Sequence, residues 1–109
     1  MKTDLIYDKY KDNEIFNKEM TKSIDEYIKM FGEAYYHRFK FDNGYGASVV
    51  KQFGTYGYND DLFELAVIKF DDKGDEWGHL CYTTPITNNV VGYLTNDGVL
   101  NLLEQIKNL

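Results

Sequence analysis

The residues of this chain with the most capacity for chemistry are a glycine–tyrosine run, two histidines, one cysteine and several adjacent carboxylates. Residues 41 to 61 read FDNGYGASVVKQFGTYGYNDD. A phosphate-binding glycine loop lies between a strand and the N-terminus of a helix, where backbone amides and the helix dipole hold the anion. Gly44 and Gly46 fall between two strand-like segments instead. No third glycine completes GxGxxG, and no Gly-Lys-Ser/Thr follows. They read as a turn. The second cluster, GTYGYNDD, carries Tyr56 and Tyr58 beside Asp60 and Asp61. Tyrosines on such a loop either cover a sheet edge or anchor a partner surface.

The remaining reactive types are sparse. His79 and Cys81 share one side of a strand by the two-residue repeat, and His37 joins them only if the sheet register allows. Zinc sites usually carry close pairs such as CxxC or HxxxH, which this chain lacks, so neither metal nor cofactor is expected. Cys81 and His79 are poorly spaced for nucleophilic catalysis. The acid pairs Asp60-Asp61, Asp71-Asp72 and Asp75-Glu76 fall in turns, where solvated carboxylates are the norm. A protein without catalytic activity is the expectation.

Charge narrows the partners. Eighteen acids against twelve bases give a net charge of −6, which opposes phosphate backbones and anionic membranes. The aromatic segments AYYHRFKF and LFELAVIKF could stack bases, but Arg38, Lys40, Lys51 and Lys69 are too few to hold the phosphates. Direct nucleic-acid binding and membrane binding are therefore not expected. The opposite use of acids fits better: carboxylates on a rigid surface imitate a phosphate backbone and occupy the basic groove of a nucleic-acid-handling enzyme. The expected partner-binding residues are Tyr56, Tyr58, Asp60 and Asp61, followed by Asp71, Asp72, Asp75 and Glu76. Glu14, Glu19, Asp25, Glu26 and Glu33 offer a further acidic face, although Lys18, Lys22 and Lys29 also suit a plain solvated helix. One cysteine excludes an internal disulfide, and MKTDLIYDKYKDNE is too charged for a signal peptide, so a cytoplasmic protein is expected.

The elements that must position these groups follow from periodicity. Phe16, Met20, Ile24, Tyr27, Ile28 and Phe31 have the spacing of one helical face, predicting either one helix over about 14–31 or two shorter pieces. The second piece would restart near Ile24 at a capping box of Ser23 and Glu26, with Tyr7 and Tyr10 hinting at an earlier turn. From residue 34 the period becomes two. Tyr35, His37, Phe39 and Phe41 fall on one side of a strand, and Tyr36, Arg38 and Lys40 on the other. Asn43-Gly44 predicts a type I′ hairpin turn into GASVVKQF. LFELAVIKF reads as a buried third strand and WGHLCYTT as a fourth, with PITNNVVGYL as a loop. Thr95 suits a helix N-cap and Asp97 the first turn. Val99, Leu102, Leu103, Ile106 and Leu109 then form the apolar stripe. The prediction is a single α+β domain over 1–109: a helical N-terminal arm at 1–33, a four-stranded antiparallel meander at 34–94, and a C-terminal helix at 95–109 packing the sheet with the arm.

The segments YYHRFKFDNGYGASVVKQ, YGYNDDLFELAVIKF, LCYTTPITNNVVGYLT and VLNLLEQIKNL together resemble a group of small uncharacterised proteins encoded by phages and prophages of low-GC Gram-positive bacteria. The resemblance spans roughly residues 35 to 109, and its most specific piece is TPITNNVVGYLT. Such genes often encode inhibitors of host defence nucleases, CRISPR systems included. The resemblance and the acidic, tyrosine-rich composition together suggest an anti-CRISPR-like inhibitor that binds a host protein. Two alternatives stand beside it. One is a nucleotide-signal sponge with a pocket of Tyr35, Tyr82 and Trp77 and Arg38 as counter-charge. The other is a phage assembly accessory whose arm mediates self-association.

Overall fold

Three strands make the centre of the sheet: β2 (Tyr35–Lys40), β3 (Tyr45–Lys51) and β4 (Phe63–Lys69), paired antiparallel in sequence order. The computed structural model describes residues 4–15, 22, 25–26, 28–30, 35–51, 62–71, 77–86 and 90–109. Register places His37 opposite Val49, and Val49 opposite Leu65. Because side chains alternate across a strand, this pairing collects Tyr35, Phe39, Ala47, Val49, Phe63, Leu65 and Val67 on one face, where all are buried. The alternation expected for AYYHRFKF is thus realised. Each large apolar side chain removed from water here stabilises the fold by about 1.5–3 kcal/mol.

Two helices cover that face. α1 (Asp4–Tyr10) contributes Ile6 and Tyr10, and α2 (Asn96–Lys107) contributes Val99, Leu103 and Ile106, all buried in the same core. α2 begins where the sequence predicts. The Thr95 hydroxyl accepts from the Gly98 N–H at 3.1 Å, Asp97 lies in the first turn, and Lys107 in the last. Leu102 is half-buried, whereas Leu109, the last member of the expected stripe, is exposed.

The N-terminal expectation needs correction. The helix at the N-terminal end is the short α1, followed by a 3-10 turn at Lys11–Asn13. Glu14 and Ile15 are not helical. They form β1 (Glu14–Ile15) and pair with Phe39 and Arg38 along the outer edge of β2. Local chemistry supports this: the Asn13 amide donates to the Lys40 carbonyl at 3.2 Å, and Asn and Ile are modest helix formers. Helical backbone occurs at residues 22, 25–26 and 28–30, where Ile28 and Met30 are exposed to 40% and 74%. Among the described residues, Ile6 and Tyr10 close the core at this end. Phe16, Met20, Ser23, Ile24, Tyr27 and Phe31 lie outside the described residues.

The far edge also departs from a four-stranded meander. β5 is only His79–Leu80, pairing with Lys69 and Ile68, and the Cys81 N–H extends the ladder to the Val67 carbonyl at 2.8 Å. The chain then leaves the sheet through Pro85, which has no N–H to donate to a ladder. It returns as β6 (Val91–Leu94), which pairs with Phe63 and Leu65 on the same edge of β4. Among the described residues the sheet has six strands, in the order β1-β2-β3-β4-β5 with β6 beside β4. In effect β5 and β6 are one edge strand interrupted by a loop.

The hairpin turn differs from type I′ as well. Among the described residues only Gly44 of this turn has positive φ, at 84°. Asn43 keeps negative φ, and both ends of its amide are occupied. Its Oδ1 accepts from the Tyr45 N–H at 3.0 Å, and its Nδ2 donates to the Ile106 carbonyl at 2.8 Å. The result is a three-residue turn, Asp42-Asn43-Gly44, closed by a left-handed glycine. Gly46 serves close approach instead: a Cβ there would meet the Phe39 carbonyl oxygen at 1.9 Å and the Phe70 ring at 3.0 Å.

Candidate functional site

The pairing of β1 with β2 creates a concavity that the sequence does not announce. The 3-10 turn and β1 stand beside the β2–β3 turn, leaving an open groove of about 620 Å³. Asp12, Glu14 and Asp42 line it, with Lys40, Asn13, Asn43 and Phe70. Three acidic residues and one lysine are thus among the lining, and the Lys40 Nζ lies 4.7 Å from the centre of the Phe70 ring. Glu14 is held by the His37 ring through Nδ1. A carboxylate beside His37 favours a charged ring, but burial dominates and keeps the His37 pKa below the usual imidazole value. A groove of this polarity suits a guanidinium or ammonium group and repels a phosphate.

The opposite edge of the sheet has another character. Leu80, Tyr82 and Tyr93 are exposed on the interrupted edge strand. Between Phe63–Leu94 and Leu65–Val91, β6 advances three residues while β4 advances two, so β6 carries a bulge. Tyr93 sits in that bulge at φ 57° and is 61% exposed. A left-handed tyrosine costs roughly 1–2 kcal/mol, and strained, exposed aromatic residues concentrate at sites of contact. At the other end of β4, an Asp71 carboxylate oxygen lies 3.5 Å from His79 Nδ1, both side chains being well exposed.

The sequence-predicted residues are distributed unevenly over this framework. Asp71 is exposed at the end of β4, next to the β5 edge. Tyr56, Tyr58, Asp60, Asp61, Asp72, Asp75 and Glu76 lie outside the described residues, as do Glu19 and Glu33. Asp25 and Glu26 are exposed and helical, whereas Glu14 belongs to the groove. His37, His79 and Cys81 do not converge. His37 is on β2 and pairs with Glu14, while His79 is on β5, with β3 and β4 intervening. Cys81 is buried beside the Thr83 hydroxyl, 3.4 Å away, and that hydrogen bond lowers its pKa. Among the described residues no group of three or more His, Cys, Asp or Glu is arranged to hold a metal ion.

The aromatic set expected to line a nucleotide pocket is also divided. Tyr35 is in the helix-covered core against Phe63, whereas Trp77 packs on the other face of the sheet over Arg38. Arg38 is buried and committed: its guanidinium lies 4.3 Å from the Trp77 ring centre, Nε donates to the Trp77 carbonyl, and a terminal nitrogen donates to the Tyr36 hydroxyl.

Sequence reasoning missed Asp12, Asp42 and Tyr93. Neither Asp12 nor Asp42 belongs to a motif in the sequence, and the β1–β2 pairing brings them to one groove. Val91–Leu94, read from sequence as part of a loop, is β6 instead, and its positive φ falls at Tyr93, one residue after Gly92. No helix of the described residues is long and apolar enough to cross a membrane. Comparison with protein-family models, curated proteins and solved structures gives no match.

Proposed function

We propose that this protein is a non-catalytic, phage-derived inhibitor that binds a basic, nucleic-acid-handling host enzyme of the defence-nuclease class, a CRISPR effector being the leading case. The observation that carries this reading is the groove beside β1, where Asp12, Glu14 and Asp42 outnumber Lys40 around a volume sufficient for basic side chains. Carboxylates held on paired strands and a short turn present fixed negative charge, which steers a positive surface toward the site and sets its orientation. The exposed tyrosines of the β5–β6 edge supply apolar anchors at the opposite side of the sheet. The resemblance to small phage proteins supplies the biological setting.

The test is plaque formation on CRISPR-immune hosts carrying several distinct systems, with and without the gene. The wild-type gene is expected to restore plaques on at least one host. The Asp12→Asn/Asp42→Asn double variant is expected to lose inhibition on the order of tenfold, with weaker salt dependence of effector binding. Undiminished host protection across all systems would overturn the proposal.

A further inference from the structure

The geometry points to Asn43 as a site of spontaneous deamidation that is guarded by the docked end of α2. Asn43 precedes Gly44, whose lack of a side chain makes its backbone nitrogen the least hindered nucleophile a following residue can offer. In the reaction the Gly44 nitrogen forms a bond to Asn43 Cγ while the Cγ–Nδ2 bond breaks. Nδ2 leaves as ammonia, taking up the proton lost from the Gly44 amide. Water then opens the cyclic imide at either carbonyl, giving aspartate or isoaspartate. Solvent water is the co-reactant, and nothing is oxidised or reduced.

The native fold restrains both reacting groups. Nδ2 donates to the Ile106 carbonyl at 2.8 Å, the Lys107 carbonyl at 3.1 Å and the Leu109 backbone oxygen at 3.3 Å. Oδ1 accepts from the Tyr45 N–H at 3.0 Å, and the Gly44 N–H donates to the Phe41 carbonyl at 3.3 Å. Cγ therefore cannot swing onto the Gly44 nitrogen without giving up these bonds to the last turn of α2. These bonds tie the hairpin turn to the C-terminal end of the helix, where the Ile106 carbonyl also accepts from the Leu109 N–H at 3.2 Å. Release of that end frees the Asn43 side chain for ring closure. The product closes the route back: a carboxylate cannot donate to these oxygens, and it places a negative charge at the negative end of the helix dipole. Asn43 is thus a one-way chemical record of helix undocking.

Mass spectrometry of aged, folded protein tests this, read as the mass gain of amide-to-acid conversion and localised to the peptide spanning residue 43. Wild type is expected to convert far more slowly when folded than when unfolded in urea. Ile106→Val, a mild change in the buried side chain that leaves the Ile106 carbonyl in place, is expected to speed conversion at Asn43 about threefold, and Leu103→Ala by at least roughly tenfold. Asn43→Asp is expected to lower the melting temperature of the folded protein. Equal rates in folded and unfolded wild type would overturn the inference, as would no acceleration in Ile106→Val or an unchanged melting temperature in Asn43→Asp.

Discussion

Tyr93 shows how one residue can be costly to the fold and useful on the surface. It is held at φ 57° by the bulge that lets β6 rejoin β4 after the loop, although Gly92 stands next to it. If the strain serves contact, stability and binding should respond in opposite directions. Tyr93→Gly is expected to raise stability by up to about 1 kcal/mol, because glycine enters the left-handed region freely, while weakening capture of any partner that uses this edge. Urea denaturation and a binding assay on the same variant check both halves. A loss of stability would show that the ring packs more than its exposure implies.

At the scale of elements, the joint between α1 and α2 closes the core. The Tyr10 hydroxyl donates to a Glu104 carboxylate oxygen at 2.9 Å, linking residues at the two ends of the chain. Below that bond the Tyr10 ring lies edge-on to Phe39 and Phe41. Burial, reinforced by Glu104, pushes the Tyr10 phenol well above its ordinary pKa. The same hydrogen bond holds the Glu104 pKa below the usual glutamate value. Tyr10→Phe keeps the ring and removes the donor. The Glu104 pKa should then rise toward the ordinary value, seen by NMR titration of its carboxyl carbon. An unmoved Glu104 would mean that the joint is held by ring packing alone.

For the whole molecule, a net charge of −6 favours solubility and encounter with basic surfaces, while the half-buried His37 ties stability to pH. Burial lowers the His37 pKa in the folded state. The unfolded chain therefore binds the proton first as pH falls. The stability held by the neutral ring is complete above the unfolded value of about 6.5 and is lost progressively as pH drops toward the lower, folded value. Urea midpoints measured between about pH 7.5 and pH 5.5 are expected to decline for wild type and to flatten over that window in His37→Gln. A midpoint that rises on acidification would mean that the Glu14 contact outweighs desolvation.

Short-range chemistry determined much of this on its own. The two-residue period of AYYHRFKF and the apolar density of LFELAVIKF specify strands and their buried side. Thr95 and Asp97 specify where α2 begins, because caps act within one turn of the chain. The candidate groove was not legible in the same way. Asp12 and Asp42 are adjacent to nothing informative in sequence, and Glu14 belongs to a helix-like pattern. Their meeting depends on β1 adding to the edge of β2, a long-range pairing that local propensity does not encode. The interrupted β5–β6 edge is similar: pairing with β4, and not the apolar pattern of 77–94, decided which residues joined the sheet. Asn43 was legible as a turn residue, but only the docked α2 gives its amide three backbone oxygens to hold. Periodicity determines which face each element buries, and the free energy of packing those faces together determines which distant side chains become neighbours.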